Sequence, residues 1–153
     1  LIAIDTNQHR LNLAKAKFRA DDVINAEHTP LEKLKTITGG NLSDVVFDAT
    51  GKKNVIESTV DYMRHGGKIV FVGLTNGPLT FHNPTIHRKE ASLLCSRNAT
   101  MEDFEFVMNV LRQKKFNVSS YITRQEDYQS IVGDFDAWSA PGSKDIKILT
   151  IWN

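Results

Sequence analysis

The stretch Leu1-Ile-Ala-Ile-Asp5-Thr-Asn-Gln-His-Arg10-Leu-Asn-Leu-Ala-Lys-Ala-Lys-Phe18 decides the fold. Four apolar residues end in an acid, and from Asn7 onward Leu11, Ala14 and Phe18 recur at helical spacing among polar neighbours. A strand therefore runs directly into an amphipathic helix. Further apolar runs lie at 22–25, 44–49, 68–74 and 91–96, and a second helical stripe of Val55, Ile56, Thr59, Val60 and Met63 spans 52–64. The runs are continuous rather than alternating, as in parallel strands covered on both faces. Gly66-Gly67 is expected to stop the second helix as a C-terminal glycine cap. Strand and helix in repeated alternation demand right-handed crossovers and a parallel sheet, an α/β fold.

Composition bounds what such a fold can do. The 153 residues, 41% hydrophobic and 24% charged, suffice for one core and a small appendage. With 19 basic and 18 acidic residues the net charge is +1, which supplies no electrostatic reason for a nucleic acid or an anionic membrane as partner. Cys95 is the single cysteine, so no internal disulfide forms, and no apolar run has the length to cross a bilayer. An intracellular, cytoplasmic protein is expected. The sequons at Asn41, Asn98 and Asn117 are then chance matches. The first residue is Leu1 rather than Met, which agrees with a fragment of a longer chain.

The rhythm changes after residue 98. Phe104, Val107, Met108 and Leu111 make one helical face, and Tyr128, Ile131, Val132, Phe135 and Trp138 make another, with a short strand expected at Tyr121-Ile122-Thr123. Burying a large apolar side chain stabilises by roughly 1.5–3 kcal/mol, so both stripes are expected to be core faces. The turn Ala140-Pro141-Gly142-Ser143 leads to a final strand over 146–152 that needs a partner.

Three strand ends carry the chemistry. A carboxylate at Asp5 can accept two charge-assisted hydrogen bonds from the vicinal hydroxyls of a ribose, and it would repel a 2'-phosphate, which favours NAD over NADP. Asp5 or Thr6 can equally serve as the cap of the helix that follows, and the two roles are compatible. Arg10, further along that helix, can lie over an adenine or reach a phosphate, although an arginine there is ordinarily a surface residue. Asp44-Val-Val-Phe-Asp48-Ala-Thr50-Gly51 ends in small residues, so the backbone can approach a flat ligand at the carboxyl edge of the sheet, through Thr50 and Gly51. Gly51-Lys52-Lys53 lacks the earlier glycine and the following Ser or Thr of a phosphate loop. Gly73 ends the next run in the same way as Gly51. Asp5, Gly51 and Gly73 together point to a nucleotide crevice.

No catalytic set is visible. His82 and His87 flank Pro84 near Glu90 without the spacing or the cysteines of a zinc site, and Cys95 reads as a small buried apolar residue. No nucleophile has an associated base.

Residues 1–22, Ser43 to Gly51, Arg64-His-Gly-Gly-Lys-Ile-Val-Phe-Val-Gly-Leu74 and His87-Arg-Lys-Glu-Ala-Ser-Leu-Leu-Cys-Ser-Arg-Asn98 closely resemble the zinc-containing medium-chain alcohol dehydrogenases. The polyol, threonine and sugar-acid branch is the nearest, and the likeness runs to the final strand. It implies a Rossmann-type doubly wound parallel sheet that lacks its first strand. Residues 1–98 would be a partial NAD-binding domain, and 99–153 an appendage from the catalytic domain. Asp5 then matches the acid on the adenosine ribose, and Arg10 a basic position beside it. Thr50 and Gly51 match the loop under the adenine side, and Val72, Gly73 and Leu74 the segment approaching the nicotinamide. Ser96 and Arg97 match a loop near the reactive end. Lys147 matches a basic residue that reaches the pyrophosphate, with a solvated strand lysine as the plain alternative.

The family's Gly-rich turn, zinc ligands, proton relay and most of its substrate pocket would precede Leu1. The resemblance thus implies zinc in the full-length protein with ligands outside this chain, hydride transfer between an alcohol or polyol and NAD, and no activity for this portion alone. The absent strand would leave two inner edges open, so the isolated chain is expected to rearrange, swap or aggregate. A homodimer or higher oligomer through the cofactor domain, by way of 79–83 and 68–74, is also implied. Two other classes stand beside this one: an S-adenosylmethionine-dependent methyltransferase fragment, which would also place Asp5 on a ribose, and a non-enzymatic NAD-sensing regulatory domain. Zinc-free quinone reductases are a further relative.

Overall fold

In the computed structural model, which describes residues 1–140 and 142–152, the opening run forms β1 (Ile2–Asp5) and leads into α1 (Gln8–Lys17) and β2 (Asp22–Asn25). The alternation continues through α2 (Pro30–Ile37), β3 (Ser43–Asp48), α3 (Lys53–Tyr62), β4 (Met63–Phe71), α4 (Asn83–Lys89) and β5 (Ser92–Cys95). It then passes to α5 (Met101–Arg112), α6 (Val118–Tyr121), β6 (Ile122–Asp127), α7 (Ile131–Ser139) and β7 (Lys147–Ile151). The chain forms two compact units, Leu1–Glu27 with Ala99–Asn153, and His28–Asn98.

Every strand pair is parallel. In the first unit β1 pairs with β2 from Ile2 opposite Asp22 to Asp5 opposite Asn25, and β6 pairs with β7. The second unit holds a three-stranded sheet in the order β3-β4-β5. Helices α1, α3, α4 and α7 each join two parallel neighbours, which is the crossover that parallel pairing requires. The fold is α/β of Rossmann type, and among the described residues β1 pairs with β2 alone and β3 with β4 alone.

The second unit is built on Val60, Met63 and Ile69, with Val46, Phe71, Ile86 and Ala91 packed around them. Helix α3 faces this core with Ile56, Thr59 and Val60. Its last carbonyls are closed by a buried lysine: Lys89 Nζ donates to the carbonyls of Val60 at 2.7 Å, Asp61 at 3.4 Å and Met63 at 2.6 Å. A cation at a helix C-terminus suits both the orphan carbonyls and the helix dipole. Burial lowers the pKa of this ammonium, and neighbouring Asp61 acts to raise it. Lys89→Met keeps the stem and removes the donor, so it should lower the stability of the second unit by about 2–3 kcal/mol, read as a fall in the urea midpoint without change of slope. A midpoint within error of the parent would contradict this role.

Several expectations are corrected. The stripe at 52–64 ends as a helix at Tyr62, because Met63 turns extended (φ −97, ψ 140) to enter the core, and Gly66-Gly67 fall within β4 instead of capping the helix. Helices α2 and α4 were not foreseen; each begins with a proline in its first turn, a start signal that outweighs a short apolar face. Burial on both faces fails at Val45, Phe47, Leu93 and Leu94, which are exposed. Cys95 is exposed, not a core residue, since β5 is an edge strand. The faces of α5 and α7 bury nothing completely, and Val132 is 95% exposed. The final strand does have a partner, β6, which extends the short strand expected at 121–123 to Asp127. In the turn before it, Pro141 lies outside the described residues. Helix α5 starts with a reciprocal cap between Thr100 and Asp103, whose carboxyl these hydrogen bonds hold below its usual pKa.

Candidate functional site

In the first unit the site begins where β1 stops. Asp5 Oδ1 accepts the backbone N–H of Asn7 at 2.8 Å, which folds the chain into α1. The cap itself is Asn7, whose side chain accepts from the N–H of Arg10 at 3.1 Å, so the cap falls one residue beyond Thr6. Among the described residues Asp5 Oδ2 and the Arg10 guanidinium have no hydrogen-bond partner within the protein. Both residues line an open cavity of about 390 Å³, whose floor is the apolar face of α1 and the edge of β1, including Leu11, Ala14, Phe18, Ala3 and Ile4. Tyr121 and Ile146 complete it. Tyr121 is held there by edge contacts to Phe18 and Phe116, which stack on each other at 6.1 Å. A half-used carboxyl and an unpaired guanidinium over an apolar floor suit a flat ring that carries hydroxyls. Lys147 follows Ile146 at the start of β7 and is exposed, but it does not line the cavity.

In the second unit three strand ends are tied into one edge. The carbonyl of Asp48 accepts the N–H groups of Val72 at 2.8 Å and Gly73 at 2.9 Å, and Ser96 N donates to the Phe71 carbonyl at 2.9 Å. Gly51 has φ +64 and passes so close to the next loop that a Cβ would stand 2.6 Å from the Leu74 carbonyl oxygen. Gly73 is as restricted, since its Cβ would lie 2.3 Å from Gly51 N. Thr50, Gly51, Val72, Gly73, Leu74 and Ser96 are thus brought together, while Arg97 is exposed beside them. The Asp48 side chain organises this edge, although its position in the sequence does not single it out as a site residue. It is 3% exposed and accepts from Thr50 Oγ1 at 2.7 Å and from the amides of Thr50 and Gly51 at 3.3 Å each. The signal was the Asp-x-Thr-Gly spacing, which forms an Asx turn.

Among the described residues no group of three His, Cys, Asp or Glu side chains is placed to hold a metal ion, so these residues do not form a zinc site. No helix of the described residues is long and apolar enough to cross a membrane.

The family model described as zinc-binding dehydrogenase matches residues 1–113. L-galactonate-5-dehydrogenase of Escherichia coli (strain K12) is 36% identical over 104 residues, covering 68% of this chain and 31% of the relative. Sorbitol dehydrogenase 1 of Saccharomyces cerevisiae is 25% identical over 156 residues, covering 97% of this chain and 43% of its own length. The chain spans less than half the length of these curated relatives. Among solved structures, an E. coli CFT073 protein described as a short chain alcohol dehydrogenase complexed with NADH superposes with a TM-score of 0.87 at 24% identity, covering 98% of this chain and 44% of that one. L-idonate 5-dehydrogenase of E. coli superposes at 0.82 with 20% identity over 98% of this chain and 42% of that one. The two structures carry the fold. Because the family match runs from β1 through α5 and takes in the ends of β1, β3, β4 and β5 described above, the chain belongs to the zinc-binding dehydrogenases.

Proposed function

We propose that this chain is the cofactor-holding portion of an NAD-linked, zinc-dependent alcohol or polyol dehydrogenase, which transfers hydride between a secondary alcohol and NAD. The observation that carries the reading is Asp5 at the end of a parallel strand, one carboxyl oxygen spent on the turn and the other free toward a cavity it shares with Arg10. A neutral diol meets an acceptor there, and a 2'-phosphate would meet an anion. In the first unit Asp5, Arg10 and Lys147 would contact the nucleotide, and in the second Thr50, Gly51, Val72, Gly73, Leu74, Ser96 and Arg97. Residues 1–98 are assigned to the cofactor domain and 99–153 to the catalytic domain.

The relatives' names, sorbitol and sugar-acid dehydrogenases, support a small polyhydroxylated substrate. The zinc that would polarise its hydroxyl belongs to residues outside this chain. A cytoplasmic location and a homodimer formed through the cofactor domain complete the proposal; β4 is flanked by β3 and β5, so the 68–74 strand has no free edge, and the edge strand β5 with its exposed Leu93 and Leu94 is suited to pairing with a second copy instead. Titrating NADH and S-adenosylmethionine into the chain tests the class. Saturable binding of NADH alone is the expected result, and binding of S-adenosylmethionine instead would overturn it.

A further inference from the structure

We propose that Asn76 is a modification site, where the chain converts its own asparagine through a cyclic imide to aspartate and isoaspartate. Asn76-Gly77 is the single Asn-Gly pair in the sequence, and both residues are exposed in the loop between β4 and α4. A Cβ built on Gly77, at φ +90, would meet nothing within 4 Å. Among the described residues the Gly77 amide donates to no acceptor in the protein, and the Asn76 side chain has no hydrogen-bond partner. The loop is tied on either side of the pair. The Gly73 amide donates to the Asp48 carbonyl at 2.9 Å, and the Thr80 amide to Glu57 Oε1 at 2.7 Å. Between these ties no backbone hydrogen bond holds 74–79 among the described residues, so the pair can turn into the reactive geometry.

The Gly77 nitrogen, its proton taken by hydroxide, attacks Asn76 Cγ. A C–N bond forms, the Cγ–Nδ2 bond breaks, and ammonia leaves a five-membered succinimide. One water then opens either ring carbonyl, giving aspartate with the original backbone or isoaspartate with the chain routed through the side-chain carbon. Asparagine is a thermolabile residue, and the fold guards the others described. The side chains of Asn7, Asn12, Asn25, Asn109 and Asn117 are held by hydrogen bonds. The amides that follow Asn41 and Asn54 are spent on Thr38 Oγ1 and the Lys52 carbonyl, at 3.0 Å each. Pro84, after Asn83, has no N–H, and Ala99 sets a methyl group beside the nitrogen that follows Asn98. At Asn76 neither guard is present. The product carries one new negative charge, which takes the formal net charge of +1 to zero, whether or not the chain holds NAD.

Incubation of the whole chain in mildly alkaline buffer at physiological temperature, followed by peptide mapping with mass spectrometry, tests the site. The peptide that carries Asn76 should gain the mass of an amide-to-acid exchange before any other asparagine converts. Isoaspartate should be the larger product, and the rate should rise with hydroxide. Because nothing holds the loop, the rate should lie within about threefold of that in the urea-unfolded chain. Asn76→Gln demands a six-membered ring and Gly77→Ala crowds the nitrogen, so each should slow conversion by about tenfold or more. Conversion at Asn98 ahead of Asn76, a rate indifferent to pH, or a native rate below that threefold range would overturn the proposal. Should Gly77→Ala disturb the turn, Asn76→Gln decides alone: a peptide that gains mass as fast as the parent's would contradict attack on the Asn76 side chain.

Discussion

Gly73→Ala should destabilise the chain by about 3 kcal/mol, the upper end of what overpacking costs. The added methyl would stand 2.3 Å from Gly51 N, 2.9 Å from Gly51 Cα and 2.8 Å from Asp48 Oδ2. Two of these are backbone atoms of a turn that is itself fixed at φ +64, so no side chain can swing aside to make room. The loop after β3 must part from the loop after β4, and the Asp48 carboxyl loses its geometry toward Thr50 and Gly51. Thermal or urea unfolding measures the loss. Gly133→Ala is the control of opposite sign: it lies within α7 with open space around its Cβ position, and removing a helical glycine should stabilise by roughly 0.5–1 kcal/mol. Equal effects at the two positions would contradict the close approach at Gly73.

Ile69→Ala should cost about 2–5 kcal/mol, enough to unfold much of the second unit at ambient temperature if its stability is ordinary. Ile69 has no exposed surface and sits mid-strand in β4, with Val46 of β3 and Leu93 of β5 in register on its two sides. Among the described residues the cluster beneath it has only Val60 and Met63 as buried companions, so few side chains are available to close over a cavity. Leu94→Ala, at an exposed position on the neighbouring edge strand, should cost under about 1 kcal/mol. A small effect of Ile69→Ala in circular dichroism melts would show that the core lies elsewhere.

The parallel α/β pattern was legible because its signals are local. The run at 1–5 and the stripe of Leu11, Ala14 and Phe18 place β1 and α1 within a residue of where they lie. The 22–25 strand is reproduced residue for residue. Helices α2 and α4 escaped because eight and seven residues scarcely complete one apolar face, and their proline starts were the better cue. Periodicity names the apolar side of a helix but not what covers it, so the stripes of α5 and α7 suggest core faces although Phe104, Val107 and Phe135 are exposed. At the site, Asp5, Gly51 and Gly73 could be picked out because strand ends and glycines are visible in one dimension. The Asp48 network was not, since its worth depends on a burial and on three donors that only the folded loop supplies.

The proposed function turns on Asp5 presenting a carboxylate to the ribose of NAD. The most direct measurement is the ratio of NADPH to NADH dissociation constants for this chain and for Asp5→Asn, which keeps an oxygen for the Asn7 amide and removes the charge. The parent should favour NADH by at least tenfold, and the variant should bring the two nucleotides within about threefold of each other. A parent that binds both equally, or a ratio that the substitution leaves unchanged, would contradict the account.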